Sequence, residues 1–126
     1  MNPQEFRYSS HHVWCAVEED GNIRLGMTDY FQAQLKNIIY LELPKPGAEI
    51  CLGDALASFE SQKIASDLLC PISGRIIEIN EDVLEQPNII NKSPNEHGWL
   101  VRIAPSDLKE FGALLSYQAY IDLVSS

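Results

Sequence analysis

GDALASFESQKIASDLLCPIS, residues 53–73, is the stretch whose reading decides the fold. Residues 55–60 alternate small or apolar side chains with polar ones, as a half-buried strand requires, and a second extended run begins near Ile64. Between them lies Ser61-Gln62-Lys63, short and polar, as a turn requires. The segment therefore reads as a β-hairpin with Lys63 at or near its tip. A turn lifts its side chains away from both strands, so the flexible lysine stem ends in an amine that another protein can reach. A lysine on a turn is ordinarily only a solvated surface residue. Any further meaning must come from its neighbours.

Working outward, Gly53-Asp54 is a tight turn preceded by a short strand over 49–52, and Pro71-Ile72-Ser73-Gly74 closes the hairpin before a strand over 75–79. Towards the N-terminus, 13–17 reads as a strand, and Asp20-Gly21-Asn22 signals a turn into Ile23-Arg24-Leu25. Thr28 is placed to cap a helix over 29–36, with Asn37 as its stop. Ile38-Ile39-Tyr40-Leu41-Glu42-Leu43 is the strongest strand, and Pro44-Lys45-Pro46-Gly47 ends it because proline donates no ladder hydrogen bond. Gly47 is expected to adopt a backbone conformation that other residues disfavour. Towards the C-terminus, Asn80 caps one helical turn through Glu85, and Pro87-Asn88 opens a loop containing Pro94 and Gly98. A strand over 99–103 follows, then a helix capped by Ser106 and running to Leu115. Ser116 caps a last helix in which Tyr117, Tyr120, Ile121 and Val124 recur at helical spacing. Many short strands between Gly and Pro turns predict a mainly β fold, a small sandwich or flattened barrel with flanking helices.

Composition bounds the function. A chain of 126 residues supports about one domain, and 45% hydrophobic with 21% charged residues is ordinary for a globular protein. No stretch approaches the roughly 20 apolar residues of a membrane helix, and the first residues, MNPQEFRYSSHH, lack the apolar core of a secretory signal. Cys15, Cys51 and Cys70 are odd in number and widely spaced, which predicts free thiols in a reducing cytoplasm. The formal net charge of −9 argues against nucleic acid or an anionic membrane and favours protein partners with basic docking surfaces.

Glu60-Ser61-Gln62-Lys63-Ile64-Ala65-Ser66 resembles the lipoyl-attachment site of the glycine cleavage system H protein family, whose usual pattern is E-S-V-K-A-A-S. The resemblance extends over most of the chain. His12-Val13-Trp14 stands where the family has H-E-W, and Gly26-Met27-Thr28 where it has G-I-T. Leu41-Glu42-Leu43-Pro44 through Gly47, Pro71-Ile72-Ser73-Gly74, Asn91, Pro94 and Gly98-Trp99 follow in the family's order. Each motif alone is weak, but their ordered spacing is specific. The resemblance implies a hybrid barrel-sandwich with short flanking helices and a C-terminal helix, spanning residues 1–126 as one lipoyl-carrier domain. It implies lipoic acid joined by an amide to Lys63, on an arm of about 12–15 Å if bond lengths are near 1.5 Å. It also implies a carrier rather than an enzyme, a cytoplasmic monomer shuttling an aminomethyl group from glycine decarboxylase to a folate-dependent aminomethyltransferase. Dihydrolipoyl dehydrogenase would restore the disulfide, and a lipoate ligase or lipoyltransferase would attach the cofactor.

By the same resemblance Gly47, Glu60 and Asp67 are the modification signals; as residues alone the two carboxylates flank the lysine and could guide it into the attaching enzyme, with solubilising charges as the lesser alternative. His11, His12 and Val13 fall at the cleft that shelters the loaded arm. There Val13 replaces the glutamate of H-E-W, and a valine cannot pair with an ammonium. Gln62 and Ile64 are bulkier than the family's residues beside the lysine, and Pro94-Asn95 replaces its P-Y. These departures raise an alternative: an H-like lipoate-binding protein of a heterodisulfide-reductase-like sulfur oxidation system, or a lipoate relay. A biotin carrier also uses a hairpin lysine, but between methionines. His11-His12 with Cys15 is a poor metal site, because adjacent histidines on an extended strand point to opposite faces. No nucleophile signature such as GxSxG is present.

Overall fold

The computed structural model describes residues 2–125. After a short 3-10 turn at Pro3–Glu5, the chain forms β1 (Arg7–Tyr8), β2 (Val13–Val17), β3 (Ile23–Met27), α1 (Asp29–Leu35) and β4 (Ile38–Glu42). Then come β5 (Glu49–Ile50), β6 (Ala55–Ser61), β7 (Ala65–Leu69), β8 (Gly74–Ile79), α2 (Glu81–Glu85) and α3 (Ile89–Lys92). The chain closes with β9 (Val101–Pro105), α4 (Leu108–Gly112) and α5 (Tyr117–Ser125). The strands make two antiparallel sheets, one of order β1-β2-β3-β9-β8-β5 and one of order β4-β6-β7. The expected mainly β architecture with short helices is the observed one.

The main core is shared by both sheets: Cys15, Leu25, Ile76 and Ile103 come from the larger one, and Leu41, Phe59 and Leu68 from the smaller. Strand β2 explains how a second layer is added. Its side chains alternate, so Val13 and Cys15 enter this core while Trp14 and Ala16 face the opposite way. There they join Phe6, Tyr8 and Tyr120, and α5 covers them. The uninterrupted apolar run of β2 is thus a strand buried on both faces. Trp14 pairs across the ladder with Gly26, and a Cβ on that glycine would collide with the indole, so only glycine leaves room for the ring.

Local signals hold where the sequence placed them. Thr28 Oγ1 accepts from the Phe31 amide at the start of α1, Asn80 accepts from Asp82 at the start of α2, and Gly47 has φ +90°. Other boundaries differ. Helix α1 stops at Leu35, with Lys36 rather than Asn37 making the turn at φ +66°. Asp107, not Ser106, caps α4, which ends at Gly112 because Leu115 is drawn into a two-way backbone pairing with Tyr8. The expected strand over 99–103 lies at Val101–Pro105, and the expected loop after Pro87 contains the short helix α3.

Candidate functional site

The hairpin of β6 and β7 pairs Ser58 with Asp67, Phe59 with Ser66 and Glu60 with Ala65, leaving residues 61–64 as its tip. Ser61 organises that tip. Its Oγ accepts from the amides of Lys63 (3.2 Å) and Ile64 (3.1 Å) and donates to the Ile64 carbonyl (3.0 Å), while its own amide donates to the same carbonyl at 2.8 Å. The backbone on either side of Lys63 is therefore held while the lysine side chain is exposed. Among the described residues its ammonium takes part in no ion pair or side-chain hydrogen bond.

Two of the three expected modification signals share the face beside this tip. Tyr40 pairs with Glu60 and Glu60 with Ala65, and Glu42 pairs with Ser58 and Ser58 with Asp67, so these six residues point out from one side of the smaller sheet. Ser58 Oγ donates to Asp67 at 2.8 Å, and the Tyr40 hydroxyl donates to Glu42 at 2.7 Å. That hydrogen bond and the Glu42 charge, with a smaller contribution from Glu60, raise the Tyr40 phenol above its ordinary value. Gly47 is not on this face. Its amide donates to the Ile76 carbonyl of β8 in the other sheet, which gives it a backbone role there.

The residues expected at the arm cleft separate. His11 is exposed, and His12 lies in the turn before β2 with φ +74°, so the pair does not sit on an extended strand as expected. His12 Nδ1 is 2.7 Å from the Tyr120 hydroxyl, which is 2.8 Å from Thr28 Oγ1, and its ring stacks on Phe31 at 4.6 Å. Burial, with the nearby His11 charge, lowers its pKa from 6.5. Val13 is fully buried in the main core, so its side chain lines no open cleft. This is a correction with a simple cause: Val13 is the first inward residue of β2. Among the described residues no group of three potential ligands gathers to hold a metal, and the three cysteines are free.

The sequence reading missed the groups that brace the lysine: Ser61 as hub of the turn, and the contacts of Gln62, Asn37 and Asn91. Ser61 carried a local signal, since serine hydroxyls commonly satisfy turn amides. Asn91 stood among the residues in the family's order, but nothing local gave its bracing role, because its partners lie more than fifty residues away in the chain.

A family model described as "Glycine cleavage H-protein" matches residues 6–126. The glycine cleavage system H protein of Geobacillus sp. (strain WCH70) is 41% identical over 122 residues, covering 97% of this chain and 95% of the relative. That of Oceanobacillus iheyensis is 43% identical over 122 residues, covering 94% and 96%. The crystal structure of a glycine cleavage system H protein from Mycobacterium marinum superposes with a TM-score of 0.89 at 29% identity, covering 99% of this chain and all of the other.

Proposed function

The chain belongs to the glycine cleavage H-protein family, and from that premise we propose that it is a lipoyl carrier with its cofactor attached to Lys63. The observation that carries this reading is the contrast at the hairpin tip: a backbone braced by Ser61 bearing an exposed, unpaired amine. That amine fits amide attachment, since an acylating enzyme must reach it as a free nucleophile and among the described residues no carboxylate pairs with it. Bound there, a lipoyl group supplies a cyclic disulfide able to accept and return a carbon fragment.

The chain itself acts as a carrier and supplies position rather than catalysis. Ser61 sets the direction in which the lysine leaves the hairpin. Glu60 and Asp67 present carboxylates to the attaching ligase or transferase, and Gly47 supports the fold through its turn on β8. In this reading residues 1–126 form one carrier domain whose cargo is the aminomethyl group. Its partners are glycine decarboxylase, the aminomethyltransferase and dihydrolipoyl dehydrogenase. Three free thiols fit a reducing compartment such as the cytoplasm. No helix among the described residues is long and apolar enough to cross a membrane.

The test is intact mass and peptide mapping of protein from a host supplied with lipoate, beside Lys63→Arg. The variant keeps the charge but removes the acylatable amine, so it is expected to fold and to carry no lipoate. Lipoate on Lys36, Lys45, Lys92 or Lys109 would overturn the site. Failure of the lipoylated protein to support glycine–bicarbonate exchange by glycine decarboxylase would overturn the cargo.

A further inference from the structure

We propose that Gln62 is a positioning residue for Lys63, latching the lysine turn to the junction between α1 and β4; the inference rests on reading Lys63 as the acylated residue. The turn extends beyond Glu60 and Ala65, the last pair of the β6–β7 ladder. Ser61 holds it internally and pairs with Ile38 at the end of the β4–β6 ladder, and beyond that pair the tie to the body of the protein passes to the next residue. Gln62 supplies a reciprocal contact: its amide donates to the Asn37 carbonyl at 3.0 Å, and its Oε1 accepts from the Asn37 amide at 3.2 Å. The residue before Asn37 is Lys36, whose positive φ makes the sharp exit from α1.

That exit is braced in turn by Asn91 of α3. Its Oδ1 accepts from the Ile38 amide at 2.9 Å, and its Nδ2 donates to the Lys36 carbonyl at 2.7 Å and to Gln32 Oε1 at 2.9 Å. A continuous set of hydrogen bonds thus runs from α3, through the α1–β4 junction, to the residue beside the lysine. Gln62 stands where the related pattern has valine, a side chain with no acceptor for the Asn37 amide.

A loosened tip samples several orientations, and an enzyme that accepts one of them sees its affinity reduced by the fraction in that orientation. The KM for the carrier should then rise while kcat, set after docking, stays the same. The experiment uses full-length unmodified protein with a lipoate ligase, lipoate and ATP, comparing wild type, Gln62→Ala and Gln62→Glu, with amide hydrogen exchange on the same samples. Gln62→Ala is expected to raise KM about two- to tenfold at constant kcat, the range of one ordinary hydrogen bond, and to speed exchange at Asn37 and Lys63 by a similar factor. Gln62→Glu keeps an acceptor oxygen and should restore both. Wild-type KM and exchange in Gln62→Ala, or no restoration by glutamate, would overturn the latch. Should the wild-type chain take no lipoate, the functional reading falls and the exchange data alone judge the latch.

Discussion

Ser61→Ala removes the centre of the lysine turn while leaving the strands that carry it. Three hydrogen bonds are lost, two accepted from the Lys63 and Ile64 amides and one donated to the Ile64 carbonyl. The backbone bond from Ser61 to Ile64 remains. Residues 62–64 are exposed, so the freed amides turn to water, and each loss costs the net value of a hydrogen bond rather than a full desolvation penalty. Allowing for that relaxation, the cost is about 1–2 kcal/mol. For a chain of this size it corresponds to roughly 3–10 °C in Tm. Urea unfolding gives the free energy, and amide exchange places it, with faster exchange expected at Lys63 and Ile64 and unchanged rates in β2 and β3. Ser66→Ala is the control, since Ser66 is exposed with no side-chain hydrogen bond and should shift stability by no more than about 0.5 kcal/mol. If Ser61→Ala is as stable as Ser66→Ala and its tip exchanges no faster, the turn is not organised by this hydroxyl.

Two further outcomes are expected. The lowered pKa of His12 means that the unfolded chain binds the proton more readily. Stability should therefore rise with pH from the folded pKa up to about 6.5, and fall as pH drops through that window. His12→Asn tolerates the positive φ and does not titrate, so the wild-type advantage over it should shrink between pH 7.5 and 5; a pH-independent difference would show that His12 is not held neutral. Glu60→Ala and Asp67→Ala should slow ligase-catalysed modification of Lys63 while changing stability by only about 0–1 kcal/mol, because both side chains are exposed. Unchanged modification rates in both variants would leave them as solubilising charges.

What was legible in the sequence was local. The Lys63 hairpin announced itself through alternation broken by three polar residues, and Thr28 and Asn80 through hydroxyl and amide caps each followed by an acidic first helical turn. Sheet partition was not legible: β2 reads as an apolar strand, but nothing local says that Trp14 faces α5 while Val13 faces the sandwich. Strand β1 escaped notice because two residues carry no period, and Leu115, its partner on the other side, lies at the far end of the chain. Helix α3 has no side-chain cap and only four residues, too few for a helical repeat to register. His12-Val13-Trp14 was one of the ordered motifs that together pointed to the family, yet Val13 belongs to the core and His12 to a hydrogen-bonded turn.

The distribution of charge follows from the same architecture. All four ion pairs among the described residues join Arg24 or Arg102 to Glu18, Asp20 or Glu78, on the larger sheet and its β2–β3 turn. Arg102 alone reaches all three carboxylates, which partly offsets an acidic corner internally. Glu42, Glu60 and Asp67 receive no such cation, only hydroxyls from Tyr40 and Ser58 at two of them. The face beside the protruding lysine therefore keeps three carboxylates without an ion-pair partner among the described residues. Acylation of Lys63 would remove the one positive charge at the tip, taking the formal net charge from −9 to −10. An enzyme with a basic approach surface would be drawn to this face before modification and, by the loss of that ammonium, more strongly after it. Such an attraction speeds encounter without requiring a large apolar interface that would slow release.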